Sequence, residues 1–74
     1  MKKNEIIGFA NFLISETLNP EFKKIIMEDE FFLESFSETI EWFSDSFDRE
    51  RFINYVHKGI ELQKKGIVIQ DIYY

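Results

Sequence analysis

Residues 30–47 read EFFLESFSETIEWFSDSF, and the way this stretch winds decides the fold. At about 100° per residue, Phe32, Phe36, Ile40, Phe43 and Phe47 gather on one narrow stripe. Glu30, Glu34, Glu38, Glu41, Asp45 and Asp48 follow steps of three or four residues along the opposite side. Phe31 and Trp42 fall on the flank between them. The pattern predicts one helix over 30–47, apolar on one edge and anionic on the other.

Working outward, Asp29 would fall on the apolar side of that helix, so a break is expected around Glu28 to Phe31. A single helix over 20–47 is the alternative. Asn19-Pro20 reads as a cap followed by proline in the first turn, opening a helix over 20–28. Upstream, Ile6, Ala10, Leu13, Ile14 and Thr17 share one face of a helix over about 3–18, with Phe12 on the other side. Downstream, Asp48 is placed to cap a helix over 49–65 that buries Phe52, Ile53, Val56 and Ile60. Gly66 suits its left-handed stop, and Lys64 and Lys65 suit the negative end of its dipole. Residues 67–74 are β-branched and extended in character, fit to pack along the bundle or pair as an edge strand. The expectation is an all-α, three- to four-helix bundle in one domain over 1–74, with an extended C-terminal tail 67–74.

Seventy-four residues make a marginal core, because a chain of this size buries only about 60% of its unfolded surface. The chain has no cysteine, so disulfides and thiolate metal sites are excluded, and a reducing cytoplasm is the expected location. With 45% hydrophobic residues and nine phenylalanines it has ample apolar surface to offset ordering entropy. Those rings also exceed what one small core hides, so some are expected at a partner or a second copy. A secretory leader is not expected: Glu5 sits in the basic start, Asn11 interrupts the apolar run, and no small-residue cleavage site precedes Asn19. No apolar run approaches the ~18 residues of a membrane span.

The net charge of −5 is unevenly spread. Residues 1–24 sum to +1 and residues 49–74 to +2, whereas 25–48 carry eight acids and no base. Like charges three or four residues apart on a helix cost roughly 0.2–0.5 kcal/mol each. One account of the ridge is a solvated face neutralised by Lys58, Lys64 and Lys65. The other is a docking face, steered to a basic surface by charge and anchored by aromatic rings. Six charges over the predicted helix lie about 5 Å apart, a sparse imitation of duplex DNA at roughly 1.7 Å per charge. The ridge would still be drawn to a protein groove that handles nucleic acid. Direct nucleic-acid binding is not expected, since the lysines are scattered.

Catalysis is not expected either. His57 is the single histidine and stands on the solvent edge of its helix. Gly8, Gly59 and Gly66 stand alone and form no phosphate loop. A wetted row of carboxylates keeps its pKa values alike, whereas acid/base work needs them pushed apart. Glu-x-x-His pairs and a calcium loop are both missing, so no metal or cofactor is expected.

The adjacent tyrosines of Asp71-Ile72-Tyr73-Tyr74 offer rigid contact area at a chain end, or fasten the tail together with Ile69 and Ile72. That ending and the net acidity resemble in character the small acidic helical immunity proteins that neutralise bacterial nuclease toxins. The likeness covers four residues and a charge, and names no family for this chain. The expected function is an inhibitor or adaptor acting by occupancy, of an immunity, anti-defence or mobile-element kind. Its expected contact residues are Glu30, Phe31, Glu34, Glu38, Glu41, Trp42, Asp45, Tyr73 and Tyr74, and its expected partner a basic, nucleic-acid-handling protein. The alternative is a helical homodimer whose acidic face is only solvated.

Overall fold

The computed structural model describes residues 2–74, the side chain of Glu30 excepted. Four helices follow one another: α1 (Lys3–Glu16), α2 (Pro20–Glu28), α3 (Glu30–Glu41) and α4 (Arg49–Lys64), then a single 3-10 turn at Asp71–Tyr73. No strand occurs among the described residues, and none of their helices is long and apolar enough to cross a membrane.

The boundaries follow from side chains that satisfy orphan backbone donors. Asn19 Oδ1 accepts from Glu21 N–H at 2.9 Å, ahead of Pro20. Asp29 closes α2 and opens α3, its backbone extended and its carboxylate accepting from Phe31 N–H at 3.0 Å. The break expected there is present. Asp48 accepts from Arg51 N–H at 3.0 Å, and Gly66 stops α4 at φ 76°.

α4 is the hub, packing on α1 and on α3, while α2 packs on α3. α1 buries Ile6, Ile7, Ala10, Leu13 and Ile14, and Thr17, which caps its end, is buried as well. Gln63 of α4 reaches its end, donating to the Ile14 carbonyl and the Thr17 hydroxyl at 3.0 Å each. α4 buries Phe52, Tyr55, Val56, Gly59 and Ile60, with Ile53 only half-buried.

The predicted helix over 30–47 is corrected to 30–41. After Glu41 the chain tightens into three-residue turns, with Phe43 N–H on the Ile40 carbonyl and Phe47 N–H on that of Ser44. Ser44-Asp45-Ser46 favours such turns, and the Asp48 cap claims the next residues for α4. The buried arc is also rotated. Leu33, Ser37 and Ile40 point inward, Phe32 and Phe36 lie at the edge, and Phe43 is 70% exposed. Ser37 enters the core because its hydroxyl donates to the Leu33 carbonyl at 2.6 Å, leaving no unmet polar group.

The tail packs on the bundle. Ile69 and Tyr74 are buried, while Ile72 stays exposed. The Tyr74 ring meets Tyr55 edge-on at 5.4 Å, Arg51 lies 4.6 Å above it, and the Arg51 Nε–H donates to the Tyr74 carbonyl oxygen. Tyr55 in turn donates to Asn11 Oδ1 at 2.7 Å.

Burial raises the pKa of both hydroxyls, with the Asp71 charge adding to the effect on Tyr55 and that of Asp48 to Tyr74, against Arg51. A pKa raised on folding contributes stability that is intact below the ordinary tyrosine range, about 10, and is lost as pH rises through the folded value. The melting temperature is therefore expected to fall between about pH 9 and pH 11, and to fall less in Tyr55→Phe/Tyr74→Phe. Equal alkaline slopes in the two proteins would show that these tyrosines contribute nothing.

Candidate functional site

Because α3 turns Leu33, Ser37 and Ile40 inward, the opposite line of the helix is fixed as Phe31, Ser35, Glu38 and Trp42, at steps of four, three and four. Trp42 caps the helix with helical backbone angles, so it continues this line. It is 85% exposed and Phe31 is 65% exposed. The two rings stand eleven residues apart, about 16 Å at the helical rise. Glu34 and Glu38 lie between them in solvent. The expected flank position of the rings is therefore corrected: they crown the outer face.

Glu41 departs from the ridge. Its carboxylate takes a two-pronged contact from Arg49, with Nε and Nη2 donating at 2.9 and 3.0 Å. That hydrogen bonding holds the Glu41 pKa below its ordinary value, against some desolvation. It raises that of Arg49, which also feels the charges of Glu38 and Glu34. Neutralisation of Glu41 thus comes from Arg49, eight residues beyond it across the turn, and among the described residues Lys58, Lys64 and Lys65 form no ion pair with the ridge. A charge pair across a short turn was the available signal in the sequence.

The remaining predicted residues scatter. Asp45 is exposed in the turn after α3. Tyr73 is partly exposed in a shallow groove of about 530 Å³ with Asp48, Arg51 and Asn54. Tyr74 is a correction, since it lies in the core and presents no ring to a partner. The Glu30 side chain is outside the described residues. Phe31, Glu34, Glu38 and Trp42 are therefore the predicted contacts that one face brings together.

Chemically, this face offers two exposed aromatic rings and the exposed carboxylates of Glu34 and Glu38. Its carboxylates are strung along a helix rather than converging, and no group of three or more acids or histidine among the described residues is placed to hold a metal ion. His57 is exposed on α4. The chain matches no protein-family model, and comparison with curated proteins and with solved structures finds no similar chain.

Proposed function

We propose that this protein is a small inhibitor or adaptor that lays the outer face of α3 in a groove of a basic partner protein. The observation that carries the reading is the exposed line of Phe31 and Trp42, three helical turns apart, with exposed carboxylates between them. Helices docked in grooves are recognised through anchors at such spacing. Exposed large rings beside charge are the composition of an interface anchor with an electrostatic rim. Glu34 and Glu38 steer the approach, and the rings set the off-rate once desolvated. The partner class is a cytoplasmic protein whose groove handles nucleic acid, and the chain works by occupying it, without catalysis of its own. An immunity, anti-defence or mobile-element role fits that mode of action.

The test is capture from the native host with tagged full-length protein, followed by titration of the captured partner. Glu34→Gln/Glu38→Gln is expected to slow association and flatten its salt dependence. Trp42→Ala is expected to weaken affinity by about thirtyfold or more, the mark of a binding hot spot. Both variants should melt within about 0.5 kcal/mol of wild type, because the altered side chains are solvated. The Trp42 emission should move to the blue in the complex. A partner held equally by all three proteins, at any ionic strength, would overturn the reading.

A further inference from the structure

We infer that an aromatic groove between α1 and α3 seats an amphipathic helix of the partner, its apolar stripe flanked by lysine or arginine. The inference rests on the reading given for α3 and adds which element of the basic partner is gripped, and where. α1 runs parallel to α4, since Asn11 meets Tyr55, Ile14 lies against Gly59 and Thr17 meets Gln63. α3 runs antiparallel to α4, since Phe36 meets Phe52 and Glu41 meets Arg49. α1 and α3 are therefore antiparallel to each other, and the edge-on contact of Phe9 with Phe36 at 6.4 Å fixes their register. One turn beyond Phe9, Phe12 stands toward Phe32, which lies one turn before Phe36. Phe12 is 58% and Phe9 46% exposed, and Phe32 and Phe36 are half-buried, so rings from both helices form the floor. On the α3 side the floor opens into a cavity of about 360 Å³ lined by Phe31, Phe32, Phe36, Ser35, Thr39 and Asp29.

Charge chooses the occupant. Along α1 the exposed line reads Glu5, Phe9, Phe12 and Glu16, at steps of four, three and four, so a carboxylate stands at each end of the rings. Asp29 borders the cavity, and Glu34 and Glu38 follow on the outer face of α3. The neighbouring bases are turned elsewhere. Lys3 lines a cavity with Asp71 and Ile72, and Lys23 one with Thr17 and Lys64. Lys24 stands about 200° round α2 from Phe22, the ring that meets Phe32. Lys2, at the start of α1, is the exception. A second copy would set this acidic rim against itself under two-fold symmetry, which argues against self-association through the groove. A helix with bases beside an apolar stripe meets carboxylates at both ends and rings between them, the mode of an amphipathic helix laid in a groove. Glu5 and Glu16 are eleven residues apart, about 16 Å at the helical rise, so the occupant contributes about three turns.

A synthetic amphipathic helix of leucine and lysine, with a leucine and glutamate counterpart, probes the groove of the full chain by amide chemical-shift titration. The lysine peptide is expected to bind and to move the amides of residues 5–16 and 29–39. The glutamate peptide should bind at least about tenfold more weakly. Phe12→Ala should weaken the lysine peptide about tenfold, with circular dichroism that stays that of wild type because the ring is mostly exposed. Glu16→Lys should weaken it about threefold and lessen its dependence on salt. Equal binding of both peptides, shifts confined to α4 and the tail, or indifference to Phe12→Ala would each overturn the inference. So would a dimer of the chain alone that Phe12→Ala dissolves, since the occupant would then be a second copy. Failure of the reading given for α3 looks different: Trp42→Ala would leave the affinity of the captured partner unchanged while Phe12→Ala still weakened it, a pattern that supports the groove.

Discussion

Phe52→Ala is expected to leave most of the chain unfolded at room temperature. Phe52 is completely buried, on the second turn of α4. Its ring stacks on Phe36 of α3, with centroids 6.1 Å apart and planes 12° from parallel, and meets Phe47 of the preceding turn at 5.4 Å. Phe36 in turn touches Phe9 of α1 at 6.4 Å, so one side chain links three separate pieces of the fold. Removing a buried phenylalanine costs about 3–5 kcal/mol, since the cavity collapses only partly. A domain of this length has roughly 4–11 kcal/mol to lose, with small cores toward the lower end. No disulfide holds the ends together. Far-UV circular dichroism with urea titration would measure the effect. Trp42→Ala is the control, removing a larger but solvated ring for less than about 0.5 kcal/mol. A cooperative Phe52→Ala transition near the wild-type midpoint would mean that the aromatic cluster is not the centre of the core.

The contrast between these two rings also separates what the sequence discloses from what it conceals. Helix starts were legible because each is a local event: Asn19, Asp29 and Asp48 each satisfy backbone donors two or three residues away. The end of α4 was legible for the same reason, through Gly66. The end of α3 was not, because 42–47 contain neither glycine nor proline, and the apolar spacing runs on through Phe43 and Phe47. Which arc of α3 is buried was hidden as well. Hydropathy favours the ring-bearing stripe, whereas the core takes Leu33 and the self-satisfied Ser37 and leaves the rings at its margin. That rotation moves Phe31 and Trp42 from the flank to the crest of the helix. Of the acids, Glu34 and Glu38 could be read from spacing alone, but the loss of Glu41 to Arg49 depends on how the turn brings two helices together. The tail was half legible. Its β-branched run marked an extended segment, but the clasp that buries Tyr74 needs Arg51 and Tyr55, distant in sequence.

The same dependence on a distant neighbour makes Gly59→Val the second substitution expected to be severe, at about 3 kcal/mol or more. By helix propensity alone, a side chain in place of glycine inside α4 would be neutral or better, with alanine gaining up to about 1 kcal/mol. Packing reverses that sign. A Cβ at Gly59 would lie 2.2 Å from Ile14 Cδ1, 2.8 Å from Ile14 Cγ1 and 3.2 Å from Ile69 Cγ2. Glycine is therefore present so that the Ile14 side chain of α1 can lie against α4, and the buried side chains of Ile14 and Ile69 would have to shift to admit valine. Gly59→Ala with Ile14→Val gives the sharper measurement, because Ile14→Val deletes Cδ1, the nearer of the two Ile14 atoms that collide, and leaves Cγ1. Alone, Ile14→Val should cost about 0.5–1.5 kcal/mol. Combined with Gly59→Ala it should cost less than the sum of the two, with a favourable coupling of at least about 0.5 kcal/mol. Strict additivity in that cycle would place the need for glycine elsewhere.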